Sequence, residues 1–92
     1  MIASFGDDET ELFAAGMTSP QYRHIAAVAD RRLRQLDAAV RLSDLANPPG
    51  NRLRKLKGRW AGYYSIRVND QYRLVFRWHA GDAFDVTLVD YH

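Results

Sequence analysis

The spacing of hydrophobic residues changes halfway along the chain. In the first half, Ile25, Ala29, Leu33, Leu36 and Val40 recur at the steps of three and four that line one face of a helix. Arg23, Arg31, Arg34 and Arg41 fall largely outside that stripe. Ser19-Pro20 opens this helix with an N-cap and a proline in the first turn. Upstream, Ile2 to Phe5 reads as a short first strand. Asp7 or Asp8 then caps a short helix through about Ala15, with Glu9 and Glu11 near its positive end and Gly16 just beyond it. Leu42 to Ala46 adds a short turn, and Asn47-Pro48-Pro49-Gly50-Asn51 breaks regular structure.

After that break the period is two. Arg52 to Lys57 reads as a strand and Lys57 to Gly62 as a loop. Tyr64, Ile66 and Val68 alternate with Tyr63, Ser65 and Arg67, as in a half-buried strand. Asn69-Asp70 makes a tight hairpin. Tyr72, Leu74, Phe76 and Trp78 then alternate with Arg73, Val75 and Arg77. His79 to Asp82 turns again, and Ala83 to Tyr91 is the last strand, with Phe84, Val86 and Leu88 on its core face. The order is a strand, two helices, then a meander. This predicts a single α+β domain over residues 1–92, with two N-terminal helices packed on a mainly antiparallel sheet of four to five strands. The opposite sheet face then carries Arg67, Arg73 and Arg77, so one concave, basic face is the main physical expectation.

Composition narrows the class. The chain has 92 residues, 47% hydrophobic and 12% aromatic, which suits one small folded domain rather than a disordered segment. No apolar run approaches the roughly 18 residues of a membrane span, and the first residues lack the pattern of a signal peptide. With no cysteine, disulfides, thiolate metal sites and cysteine nucleophiles are excluded. A cytoplasmic location is expected. The net charge of +2 hides an asymmetry. Asp7, Asp8, Glu9 and Glu11 crowd the start. From Arg52 to Arg77 there are eight bases (Arg52, Arg54, Lys55, Lys57, Arg59, Arg67, Arg73 and Arg77) against one acid, Asp70. That is the electrostatic footprint of a polyanion binder.

Several segments then carry a resemblance: Pro49-Gly50-Asn51-Arg52-Leu53, Leu56-Lys57-Gly58, the run from Gly62 to Arg73, and the closing Val89-Asp90-Tyr91-His92. The opening Met1-Ile2 and Ser4-Phe5 and the helix segment Leu33 to Ala39 fit as well. Together they resemble the HigB-type plasmid maintenance killer toxins of the RelE/ParE superfamily, over essentially the whole chain. The resemblance implies a RelE-like fold, and a type II toxin that inhibits translation and growth by cutting messenger RNA in the ribosomal decoding site. It also implies a helix-turn-helix, HigA-like antitoxin as partner, through which any contact with operator DNA is made.

Cutting RNA without a metal uses the 2′-hydroxyl as nucleophile. It needs a base for that hydroxyl, charge stabilisation at the phosphate and an acid for the leaving 5′-oxygen. The resemblance assigns Asp90, Tyr91 and His92 to the C-terminal part of the site, with Asp90 or His92 as the base and Tyr91 stacking on a base or positioning the backbone. Lys57 and Arg73 stabilise the phosphate, and Arg54, Lys55, Arg59 and Arg67 are further RNA contacts. One departure stands out: members of the family can carry histidine where this chain has Arg54, and arginine is a poor proton donor. His24 and His79 read as surface residues and make no metal-ligand spacing with His92, so no metal and no cofactor is expected. Trp78 is in phase with the core, whereas Trp60, in a basic loop, either contacts ribosomal RNA or covers the sheet edge.

Two other readings share these features. A ParE-like inhibitor of DNA gyrase has the same fold but no need of the Lys57, Arg73 and Asp90–His92 set. A non-catalytic module that binds RNA or the ribosome would tolerate loss of Asp90 to His92, where a nuclease would not. A metabolic enzyme lacks support, because no Gly-rich phosphate loop is present.

Overall fold

A computed structural model describes residues 1–17 and 19–91. Helix α1 spans Asp8–Ala14 and α2 spans Ala26–Ala38. The strands are β1 (Arg54–Lys55), β2 (Tyr64–Arg67), β3 (Tyr72–His79) and β4 (Asp82–Asp90). They form one four-stranded antiparallel meander in the order β1-β2-β3-β4.

The first helix forms as the sequence suggests. Asp7 is the N-cap and its carboxylate accepts from the Thr10 N–H at 2.8 Å, while Gly16 follows the helix with φ +92°. The buried Thr10 hydroxyl accepts from the Leu88 N–H at 2.9 Å and ties α1 to β4. The second helical stretch starts as a 3-10 turn, Pro20–Ile25, and becomes α-helical at Ala26. Ile25, Ala29, Leu33 and Leu36 are buried as the stripe requires. Val40 is not: it is 74% exposed. The helix stops at Ala38, Ala39 turns extended, and the Asp44 carboxylate captures the N–H groups of Val40 and Arg41. Those bonds, that of Arg41 foremost, hold Asp44 below the usual carboxylate range. Leu45 enters the core from the following turn instead.

The strands differ from expectation in three places. Ile2 to Phe5 does not form a strand. Ile2 and Phe5 make isolated parallel bridges to Ala83 and Val86, on the outer edge of β4. The ladder is interrupted at Asp85, a bulge residue with φ +54°, whose N–H is taken by the Ser4 hydroxyl at 2.8 Å. The same bulge shifts the phase of β4. Ala83, Val86 and Leu88 are buried, and Phe84 pairs with Arg77 on the other face. Only Arg54–Lys55 of the segment from Arg52 to Lys57 is strand, because Arg52 takes the left-handed conformation (φ +46°) after the Pro49–Asn51 turn. The buried Asn51 braces this region, its amide donating to Gln35, Leu45 and Asn47 oxygens at 3.1–3.3 Å.

The core lies between α2 and one sheet face. It joins Phe13, Tyr22, Ile25, Leu33, Leu36 and Leu45 to Ile66, Leu74, Phe76, Val86 and Leu88. Trp78 packs against this cluster, edge-on to Phe76. Among the described residues no helix is long and apolar enough to cross a membrane.

Candidate functional site

The face turned away from the helices is assembled by cross-strand pairing. Residues opposite each other in adjacent strands point to the same side. Arg54 pairs with Ser65, Ser65 with Val75, and Arg67 with Arg73. Arg73 in turn pairs with Val89, and Val75 with Thr87. Arg54, Arg67 and Arg73 therefore share one face with Ser65, Val75, Thr87 and Val89. Lys55 pairs with Tyr64 and takes the opposite phase, on the exposed edge of the helix-covered side. Ser65 and Val75 are fully buried on the basic face, yet Val75 stands outside the main core cluster.

Arg73 is the centre of this arrangement. Its Nη1 donates to the buried Ser65 hydroxyl at 3.2 Å, and its guanidinium carbon lies 5.5 Å from the centroid of the Tyr91 ring. Burial, and then the positive charge of Arg54, pull Arg73 below the ordinary arginine range; Tyr91 opposes them. Ser65 does not stand out in the sequence as a functional residue. The signal was its phase: a small hydroxyl on the same side as Arg67 and Arg73.

The other arginines divide by partner. Arg67 is paired with Asp70, and its backbone carbonyl accepts from Arg32 Nε at 2.9 Å. Arg77 donates from Nε to Asp85 at 2.8 Å and lies 6.0 Å from the Tyr63 ring. Both are internally compensated. Arg54, Lys57 and Arg59 are exposed and make no hydrogen bond or ion pair through their side chains among the described residues.

The C-terminal residues meet this face at its edge. Asp90 pairs with Tyr72, so its side chain has the phase of the helix-covered side, and it accepts from Gln71 Nε2 at 3.0 Å. Tyr91 follows with the opposite phase, its ring beside Arg73 and its N–H bonded to the Gln71 carbonyl at 2.7 Å. An open cleft of about 280 Å³ is lined by Arg59, Trp60, Val89, Asp90 and Tyr91. Trp60, edge-on to Tyr63 at 5.2 Å, thus brings the basic loop beside the C-terminal strand. His92 lies outside the described residues. The structure therefore brings Arg73, Tyr91, Arg54 and Arg67 to one face and places Arg59 and Asp90 at the adjoining cleft. His24 and His79 are exposed; His24 lies edge-on to Tyr72 at 6.2 Å, and His79 lines a different cleft with Tyr63, Arg77 and Phe84.

A basic sheet face with helices behind it defines a fold shared with a small bacterial toxin. The YoeB–YefM complex from Staphylococcus aureus contains a chain that superposes with a TM-score of 0.63 at 18% identity, covering 100% of this chain and 98% of that one. The YoeB dimer from the same organism gives 0.59 at 19% identity, over 99% and 97% of the two chains. Sequence comparison is more specific. The family model of the HigB-like toxins, described as RelE-like toxins of the type II toxin–antitoxin system HigB, matches residues 4–92, and the chain belongs to this family. It is 34% identical to the Endoribonuclease HigB of Proteus vulgaris over the whole of both chains. It is 53% identical to Toxin HigB-1 of Vibrio cholerae over 62 residues, which is 67% of this chain and 64% of that toxin's length.

Proposed function

We propose that this toxin is a ribosome-dependent endoribonuclease that cuts messenger RNA through attack of the RNA's own 2′-hydroxyl, and so stops translation. The observation that carries this reading is the Arg73 guanidinium, partly buried between Ser65 and Tyr91 and crowded by Arg54. Among the described residues no acid pairs with Arg73 or Arg54, and like charges so held are relieved when an anion enters between them, as the charge developing on a cleaving phosphate would. The Proteus vulgaris relative, matched end to end, is named an endoribonuclease.

In this reading Arg73 and Lys57 bind the phosphoryl oxygens, and Arg54, Arg59 and Arg67 hold the flanking backbone, with Lys55 as an outer contact. Tyr91 stacks on an unpaired base beside Arg73. Proton transfer falls to Asp90 and His92. Asp90, at the cleft beside Tyr91, accepts from the Gln71 amide, and a carboxylate at that place suits taking or tuning a proton. His92 exchanges the proton with the leaving oxygen or with Asp90. No metal or cofactor enters these steps. A site with so few proton-transfer groups gains most from a substrate held in a bent, reactive geometry, and the ribosome supplies that positioning in the cytoplasm. The likeness to a toxin solved as a toxin–antitoxin complex supports an antitoxin partner; the family resemblance makes that partner a HigA-like helix-turn-helix protein, through which operator DNA is contacted.

The test is tightly controlled expression in bacteria, with transcript 5′ ends mapped for the parent and for a variant lacking His92. The parent arrests growth and cuts translated transcripts at in-frame positions, and the variant does neither. Arrest without cuts, or equal toxicity of the variant, would replace nuclease chemistry by an inhibitor that only binds.

A further inference from the structure

We propose that Gln71, presented by the turn at Asn69, is a positioning residue that sets Asp90 and Tyr91 for cleavage; this inference rests on the function proposed above. The end of β4 is where a strand would fray, because its last residues have little packed around them. Here one residue of the β2–β3 hairpin holds two consecutive residues of that end. The Gln71 carbonyl accepts the Tyr91 N–H at 2.7 Å, and its side-chain amide donates to Asp90 Oδ2 at 3.0 Å. Asp90 and Tyr91 point to opposite sides of the strand. Fixing one by its side chain and the other by its backbone therefore fixes the rotation of the strand about its own axis. That rotation decides whether the Tyr91 ring lies beside Arg73.

The turn is itself braced. The Asn69 side-chain oxygen accepts from the N–H groups of Gln71 at 2.9 Å and Tyr72 at 2.7 Å, which sets the backbone from which Gln71 projects. Arg67 pairs with Asp70 across the same turn, and Arg32 on α2 holds the Arg67 carbonyl. Tyr72, next in the chain, is packed edge-on against Tyr22 at 5.8 Å. The choice of an amide is chemically informative. A lysine or arginine at this position would add a positive charge beside Asp90, whereas glutamine orients the carboxylate with a neutral donor.

The experiment compares Gln71→Met, Gln71→Asn and Gln71→Glu in a reconstituted translation system, measuring single-turnover cleavage against ribosome concentration. Gln71→Met keeps the length and loses the donor. Its rate at saturation falls about tenfold, in the range expected for misplaced reacting groups, while the half-saturating ribosome concentration stays within about twofold. Gln71→Asn, with an amide on a shorter arm, lies between parent and Met. Gln71→Glu is slowest, because two carboxylates repel. A Met variant as fast as the parent overturns the proposal. So does a loss confined to half-saturation, since Gln71 would then be touching RNA rather than placing the strand end. A second measurement needs no activity: in the free protein, Asn69→Ala raises amide exchange at Tyr91 and leaves Leu74 and Val86 protected. Unchanged exchange at Tyr91 overturns the proposal. If the parent itself cuts nothing, the proposed function fails and the exchange comparison alone decides the positioning role.

Discussion

The two faces of the sheet are made from alternate residues of the same strands, and they handle burial differently. On the helix-covered side, Ile66, Leu74, Phe76, Val86 and Leu88 interlock with Leu33, Leu36 and Leu45, and the apolar area removed from water stabilises the fold. On the other side Ser65 and Val75 are just as buried, but Arg54, Arg67, Arg73 and Arg77 share their face. Compensation there is uneven. Arg67 and Arg77 have their own acids, Asp70 and Asp85. Arg73 has only a hydroxyl and an aromatic ring, and Arg54 has no side-chain hydrogen bond or ion pair among the described residues. Among the described residues, positive charge without an acidic partner thus collects beside Tyr91. Stability and anion affinity are separated by nothing more than the period of a strand.

The largest effects should fall cleanly on one face or the other. Phe76→Ala empties a fully buried site and should cost about 3–5 kcal/mol of stability by chemical denaturation. Arg73→Ala should lower messenger RNA cleavage by about 10²–10³-fold, the usual cost of removing a group that stabilises transition-state charge. Its melting temperature should drop by less than about 5 °C, because only one hydrogen bond and one ring contact are lost. A stability loss in Arg73→Ala as large as that of Phe76→Ala would erase the separation.

A smaller, pH-dependent contrast comes from Tyr22. It sits between Phe13 and Tyr72 in edge-on ring contacts on the helix-covered side. Burial first, and then a hydrogen bond with Glu9, push its phenol up to about 12. The fold therefore prefers the protonated phenol. Its contribution is fully present below the unfolded value near 10 and is lost as the pH rises towards 12. Up to roughly 2 kcal/mol should disappear across that window. Tyr22→Phe should flatten the fall relative to the parent, as read by urea denaturation at each pH. An equal fall in both proteins would place the alkaline sensitivity elsewhere.

Much of this was legible in the sequence, because period alone separates the two faces. The stripe from Ile25 to Leu36, the alternation in β2 and β3, and the basic run all translate directly into position. Period failed where one backbone residue breaks it. Ala39 ends the helix before Val40, and the Asp85 bulge exchanges Ala83 for Phe84 in the core. Pairings between distant residues were not legible either. Alternation puts Ser65, Arg73 and Tyr91 on one side, but only the register β2–β3–β4 brings the hydroxyl and the ring to the same guanidinium. The partition of the arginines into compensated and uncompensated depends on the same register, so a count of basic residues overstates what is free to meet RNA.

Arg54 offers the finest test of that partition. It faces Ser65 across β1 and β2, and its charge is among the causes that depress Arg73. Arg54→His places a group that can exchange protons beside Arg73. It also removes a permanent charge beside Arg73, and a guanidinium so close disfavours the protonated imidazole. Two opposed changes follow. Binding to RNA should weaken, with the salt dependence shallower by about one unit of slope, as for the loss of one phosphate contact. The rate at saturation should rise several-fold, within the roughly 10²-fold lower bound for a well-placed acid or base. Measuring both against ribosome concentration separates them. A faster saturated rate with a shallower salt slope assigns Arg54 to holding phosphate at some expense in proton transfer. An unchanged rate with the shallower slope makes it a phosphate contact alone, leaving Asp90 and His92 to carry the protons.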